Sequence, residues 1–238
     1  MKLSVMTCVL GNPEELKDTF NSLLPYLDEN FGWLIKATGS SDSFLKNFIH
    51  PFVTIIHQKD NSLYDGMNQG LFSLKSEYYF VLGAGDVGLD HAVRELKQSV
   101  SDQSSLFFSL IIKQSNHIGV PNPLELSIRM ACPHPSTVYR VESSKSINGY
   151  DTKYLIASDY DHTSRYVKVY GNGSIYSDIL VSYMGGGLSD IRSLEGYLEE
   201  ELIRKRVWGV NDYQVYASML QKGGIVASNV LIQIGNLS

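Results

Sequence analysis

Apolar positions along the chain fall into two alternating rhythms. Mostly apolar runs occupy residues 3–10, 31–37, 52–57 and 78–82. Runs of this length predict strands covered on both faces, and the 52–57 run is rich in β-branched residues. Between the first two runs, Leu16, Phe20, Leu23, Leu24 and Leu27 recur at helical spacing. Asn12, Pro13 and Glu15 precede them as N-cap, first-turn proline and capping-box acid. Residues 38–42 predict a turn into a short helix. Residues 58–61 are a polar loop, followed by a helix that carries Asp65 and Asn68 and ends near 75–76. Strand and helix alternate up to Asp86, which implies a mostly parallel sheet with right-handed crossovers.

The second half continues more irregularly. A helix is expected over 89–100, with Val93, Leu96 and Val100 on one side, then a strand over 105–113 with a hairpin partner up to Gly119. Pro121 and Pro123 mark a loop, residues 133–135 a second one, 136–140 a short strand and 148–151 a turn. A helix follows from Ser158, its expected N-cap, and a last core strand covers 175–183. Gly185, Gly186 and Gly187 read as a connector, 190–208 as a long charged helix and 212–221 as another; 225–234 is apolar without a clear period.

Composition narrows the classes. A formal charge of -5 over 238 residues argues against general nucleic-acid binding. Cys8 and Cys132 lie far apart with no CxxC spacing, which suits a reducing, cytoplasmic setting and neither a disulfide framework nor a zinc site. The N-terminus lacks a signal-peptide pattern, and no run approaches the roughly 20 apolar residues of a membrane span.

Candidate chemistry gathers after the 78–82 strand. Gly83, Ala84 and Gly85 allow close backbone approach to a ligand, and Asp86 ends the run with a carboxylate able to hold a divalent cation. Ligands of open α/β sheets bind at the carboxyl ends of the strands. The whole stretch 58–86 resembles the central signature of family 2 glycosyltransferases of the GT-A type. That signature is an acidic loop, a Tyr-Asp-Ala-Met-Asn-Lys-Gly helix and a strand ending in an Asp-rich motif. Asp60, Tyr64, Asp65, Met67, Asn68 and Gly70 match; Gly66 and Gln69 stand at the Ala and Lys positions, and Gln58 where Glu is usual.

The resemblance covers roughly residues 1–190. It implies a GT-A-like α/β domain over 1–188, a mostly parallel sheet flanked by helices, with a helical C-terminal extension over 189–238. It implies transfer of a sugar, with inversion, from a nucleotide-sugar donor to a saccharide or lipid-linked saccharide hydroxyl. The setting would be bacterial surface polysaccharide or lipopolysaccharide synthesis, on the cytoplasmic side of the inner membrane. The cofactor would be a divalent cation, Mn or Mg, at Asp86, although Gly85 replaces the earlier carboxylate of the motif.

The other roles carry over position by position. Asp159, in Ala157-Ser158-Asp159-Tyr160-Asp161 with Arg165 beyond, stands where the family has its catalytic base, with Ser158 in place of Glu and Asp161 as the lesser candidate. Thr7, Asp42, Asp60, Asp65 and Asn68 fall on the nucleotide-sugar side, and His134 and Arg165 on the acceptor side. Local roles compete with several of these. Asp86 and Asp42 could cap helices, Asp65 has capping-box spacing with Ser62, Asp159 could be a first-turn acid, and a lone His is usually structural. Leu10-Gly11 replaces the family's Tyr-Asn, and Ala37 its base-contacting Asp. These losses leave a non-catalytic sugar-nucleotide-binding protein as the alternative. A nucleotidyltransferase is disfavoured, because residues 10–13 carry no basic Gly-rich loop. Ile191, Leu194, Leu198 and Leu202 with Arg204, Lys205, Arg206 and Trp208 read either as a helix packed on its own domain or as a face for peripheral contact with an anionic membrane.

Overall fold

A computed structural model describes residues 1–99, 106–113, 118–184 and 193–211. The expectations at 100, 105, 185–192 and 212–234 lie outside these residues. The first apolar runs form β1 (Leu3–Leu10), β2 (Phe31–Thr38), β3 (Val53–His57) and β4 (Tyr78–Val81). The rest of the sheet is β5 (Val87–Gly88), β6 (Leu106–Lys113), β7 (Ile118–Gly119), β8 (Thr137–Arg140) and β9 (Ser174–Tyr183). Its order is β3-β2-β1-β4-β8-β6-β9-β5, with β7 on β6. The block β3-β2-β1-β4 is parallel, and β6 and β9 also run parallel. Strand β8 runs against both β4 and β6, and β5 against β9.

Helices cover both faces. On one, Leu3, Val5, Val9, Trp33 and Phe80 pack with α1 (Leu16–Leu23), α2 (Asp42–Leu45) and α4 (Asp90–Ser99). On the other, Met6, Leu34, Tyr79 and Val81 pack with α3 (Leu63–Ser73), α5 (Val141–Ser146) and α6 (Ser158–Tyr170). Helix α7 (Ser193–Ile203) and the π-turn Arg204–Trp208 add Ile203, Val207 and Trp208 to this second core. Alternation along β1 sends Leu3, Val5 and Val9 one way and Met6 the other, the period-two consequence of a pleat buried on both sides.

Three local expectations are corrected. Asn12 does not cap α1, which begins at Leu16 after a tight turn; its Oδ1 instead accepts from Ser41 N at 2.9 Å, tying the loop after β1 to the loop after β2. The apolar pattern to Leu27 is not one helix, because Pro25 ends α1 and the chain continues as a 3₁₀ turn, Leu24–Tyr26. Ser158 is not the N-cap of α6; it sits inside the first turn and donates to Asp151 O. Helix α5 and the short strand β5 had no readable sequence pattern.

The second core is rich in tyrosine, and its hydroxyls are paired. Tyr79 OH donates to Ser144 Oγ at 3.2 Å and lies 3.3 Å from Tyr150 OH; Tyr139 OH lies 2.7 Å from Thr163 Oγ1. His162 of α6 is unpaired at both of its ring nitrogens among the described residues. Its ring stacks 4.5 Å from Tyr150 and meets Tyr139 edge-on at 4.7 Å. Burial, helped by Arg165 and His134, holds its pKa well below the usual 6.5.

The unfolded chain therefore binds a proton near pH 6.5 that the folded chain refuses, and stability is lost as pH falls below that value. His162→Phe removes the unpaired nitrogens and keeps an aromatic ring. It should stabilise the protein by about 1–2 kcal/mol at pH 7 and by more at pH 5, read by urea unfolding at both values. Equal stability differences at the two pH values would show that His162 does not contribute to acid sensitivity.

Candidate active site

Parallel strands bring their carboxyl ends to one edge of the sheet, and most candidate residues lie along it. The loops there are braced to each other: Gly11 N donates to Thr38 O at 2.8 Å, and Ser40 Oγ to Gly11 O. Below them Lys36, fully buried in β2, donates from Nζ to Asp60 Oδ2 at 2.7 Å. Asp60 is thus held at the ends of β2 and β3. Thr7 is different. It lies inside β1 without exposure, and its Oγ1 accepts from Trp33 Nε1 at 3.0 Å. Asp42 sits in the first turn of α2 with its side chain 87% exposed, 3.7 Å from His57 Nδ1; the cap of that helix is Ser41, which accepts from Phe44 N.

Helix α3 joins the two halves of the site. Ser62 Oγ accepts from Asp65 N, and Asp65 Oδ2 accepts from Asn61 N at 2.8 Å, a near-reciprocal capping arrangement. One turn on, Asn68 grips the backbone of Tyr150 from both sides, Nδ2 donating to its O and Oδ1 accepting from its N, each at 2.8 Å. This grip needs Gly149, whose φ is +60° and where any Cβ would collide with Asn68 Oδ1. Tyr64 reaches across the site. Its hydroxyl donates to Ile156 O at 2.6 Å and lies 3.3 Å from Asp159 Oδ1.

Asp159 is partly exposed at the start of α6. Its Oδ1 also accepts from Tyr160 N at 2.8 Å, and Oδ2 has no partner among the described residues. That oxygen is open to accept a proton from a hydroxyl. His134 stands nearby, buried, with Nε2 3.0 Å from Tyr150 OH. Burial pushes its pKa down, with the Asp159 charge opposing, so the ring is neutral at pH 7. Arg165 is occupied within the fold: Nε donates to Asp161 Oδ2 at 2.8 Å, and its other nitrogens to Ile147 O and Gly149 O. It braces the turn that carries Tyr150.

Asp86 lies at the end of β4, 3% exposed. It caps no helix: Oδ2 accepts from Gly83 N at 2.8 Å and Oδ1 from Met184 N at 3.1 Å, tying the β4 loop to the end of β9. Burial raises its pKa against these two hydrogen bonds. Among the described residues no group of three or more His, Cys, Asp or Glu is assembled for a metal. Each Asp86 oxygen keeps a lone pair, so the residue can supply one ligand to Mg²⁺ or Mn²⁺, which would take its other ligands from phosphate and water.

Two contributors had no usable sequence signal. Glu199 of α7 accepts from Leu155 N at 2.7 Å and from Ile156 N and Ala157 N at 2.8 Å each, and so holds the turn that leads into α6 from more than forty residues away. Glu200 beside it is pushed up to about 7 by burial, with Arg204 opposing and the Asp159 charge adding. The basic cluster of this segment is matched by acids: Arg204 with Glu200, Lys205 with Glu201, and Arg206 with Asp151 and Asp161. No described helix is long and apolar enough to cross a membrane.

No family model and no curated protein matches the sequence. Solved structures do. S. aureus TarS 1–349 in complex with UDP-GlcNAc matches with 16% identity and a TM-score of 0.67, over 85% of this chain and 65% of that one. The mannosyltransferase PcManGT from Pyrobaculum calidifontis, in complex with GDP-Man and Mn²⁺, matches with 11% identity and a TM-score of 0.58, over 99% and 80%. Glucosyl-3-phosphoglycerate synthase from Mycobacterium tuberculosis, with Mn²⁺, UDP and phosphoglyceric acid, matches with 10% identity and a TM-score of 0.61, over 85% and 78%. The chain spans 64% of another TarS 1–349 structure and 39% of a further TarS structure. At these identities the likeness is one of fold, and the fold is GT-A.

The α7 contacts make two predictions. Glu199→Ala leaves three backbone N–H groups without their acceptor and should cost about 2–4 kcal/mol in urea unfolding; a loss below about 0.5 kcal/mol would show that water replaces the carboxylate. For Glu200 the folded carboxyl binds its proton more tightly than the unfolded one. Its stabilisation is therefore present below the ordinary 4.5 and is lost as pH rises to about 7. Glu200→Gln should flatten the stability profile between those values by up to about 3 kcal/mol; an unchanged profile would place the titration elsewhere.

Proposed function

We propose that this chain transfers a sugar from a nucleoside-diphosphate donor to a hydroxyl of a saccharide or lipid-linked saccharide. The observation that carries the reading is the contact of Tyr64 with Asp159. It joins the helix that bears the family-like Tyr-Asp-x-Met-Asn motif to the one carboxylate placed as a base, 95 positions further along the sequence. Folding had to bring these two segments to the same edge of the sheet, and a sugar-transfer site needs both.

Asp159 takes the proton of the acceptor hydroxyl through Oδ2, and the resulting nucleophile attacks the anomeric carbon with inversion. The amide of Tyr160 holds Oδ1, with the Tyr64 hydroxyl packed 3.3 Å from it, so the carboxylate keeps one orientation. His134, neutral, fixes the Tyr150 hydroxyl beneath it. Asp60 stands on the nucleotide side. Asp86 would hold Mg²⁺ or Mn²⁺, which when bound neutralises the diphosphate leaving group. The crystallised neighbours with UDP, UDP-GlcNAc and GDP-Man support a nucleotide-sugar donor, and two of them contain Mn²⁺. A cytoplasmic setting in bacterial surface polysaccharide or lipopolysaccharide synthesis rests on the sequence resemblance.

Thermal unfolding against a panel of nucleoside diphosphates, each with and without Mn²⁺, tests the donor side. One nucleotide at about 100 times its Kd should stabilise the fold by about 2.7 kcal/mol, and the metal should enlarge the shift. Asp159→Asn should keep that shift and lose sugar transfer about 10²–10⁴-fold. No shift with any nucleotide would overturn the reading. Binding without transfer of sugar to any acceptor or to water would favour a non-catalytic sugar-nucleotide-binding protein.

A further inference from the structure

Among β1 to β4, Lys36 is the only lysine, arginine or carboxylate, and it is fully buried. Its ammonium has three protons and three close acceptors: Gln58 O at 2.6 Å, Asp60 Oδ2 at 2.7 Å and Thr38 Oγ1 at 2.8 Å. The Thr38 hydroxyl touches Asp60 Oδ2 as well. Every hydrogen bond to Asp60 thus falls on one oxygen. Oδ1 has no partner among the described residues, and the side chain keeps 18% of its surface at the carboxyl edge of the sheet. A buried ion pair inside a strand is a poor source of stability, since an apolar pair of similar volume does as well or better.

Gly66 of α3 completes the arrangement. A Cβ there would stand 2.9 Å from Asp60 Oδ2 and 3.8 Å from Lys36 Cγ. The resembled signature has Ala at this position. Glycine opens the room in which Asp60 can lie against Lys36, so these two features form one unit.

We propose that Lys36 is a positioning residue for Asp60. It holds Oδ2 so that Oδ1 accepts a hydrogen bond from the nucleoside of the donor, either from a ring N–H of the base or from a ribose hydroxyl. The inference rests on the sugar-transfer reading above, and it assigns nucleoside recognition in this chain to Asp60 at the edge where Ala37 offers no polar group.

Calorimetric titration of the folded chain and of Lys36→Met, Asp60→Asn, Gly66→Ala and the Lys36→Met/Asp60→Asn double variant tests it. The probes are UDP, GDP, their 2′-deoxy forms and inorganic diphosphate. Each single variant should weaken the preferred nucleoside diphosphate about tenfold and leave inorganic diphosphate unchanged. The double variant should bind no more weakly than Asp60→Asn, because Lys36 acts through Asp60. Gly66→Ala should weaken the nucleoside diphosphate and leave inorganic diphosphate unchanged, since a Cβ 2.9 Å from Oδ2 displaces Asp60 alone; a purely structural role for the unit would weaken both probes alike. A 2′-deoxy penalty in the wild type that vanishes in Asp60→Asn identifies the ribose as the donor, and its absence identifies the base. Wild-type binding with Lys36→Met and Asp60→Asn unaffected, or with independent and multiplying losses, overturns the inference alone. No nucleoside diphosphate binding by the wild type overturns it together with the sugar-transfer reading.

Discussion

Parallel pairing of β1 with both β2 and β4 is the constraint from which the site follows. The register runs Leu3 to Leu10 against Phe31 to Thr38 on one side and Leu3 to Met6 against Tyr78 to Val81 on the other. Strands that run the same way end on the same edge, and each crossover must return outside the sheet. The loops after β1, β2, β3 and β4 are therefore neighbours, though long stretches of sequence part them. Small residues concentrate there, and so do Asp60 and Asp86. Antiparallel β8 and the β6–β9 pair extend the sheet and bring Met184 to Asp86.

The two faces of the sheet do different work. One is an ordinary apolar core in which Phe20, Trp33 and Phe48 pack ring on ring. The other is built from tyrosines whose hydroxyls need partners once buried. Those partners link elements far apart in sequence: Tyr64 to Ile156, Tyr79 to Ser144, Tyr160 to Leu126. The paired tyrosine hydroxyls fix one arrangement, because a shift leaves them buried and unpaired. Asp159 and His134 stand within this network, so the candidate base is held by the core itself. Helix α7 adds the last support. Its Glu199 holds the amides of the turn before α6, and Arg206 neutralises Asp151 and Asp161 behind it.

Several signature residues serve the fold as visibly as they face a ligand. Asp65 closes a helix start, Asn68 grips Tyr150, and Arg165 braces the turn at Gly149. Capping spacing made the Asp65 role legible, because both partners lie within four residues. The grip of Asn68 was not legible, because its partner lies 82 residues on. In the sequence Gly66 read as a departure at the Ala position of the motif, and Lys36 drew no reading of its own. Only their contact distances join them.

Periodicity, turn residues and one dense motif determined the strand–helix alternation, the parallel sheet and the segments that carry chemistry. These are local properties: pleat, helical pitch and capping act over a few residues, and the sequence displays them directly. Tertiary structure decided which side chains meet. It ended α1 at Pro25, placed Ser158 inside α6 with Glu199 holding the turn before it, drew Arg165 into the fold and set Lys36 beneath Asp60. Each outcome depends on two groups competing for one partner across a long loop. Such competition is settled by burial and by the demand that every buried polar group be paired, a demand that exists only once the core has closed.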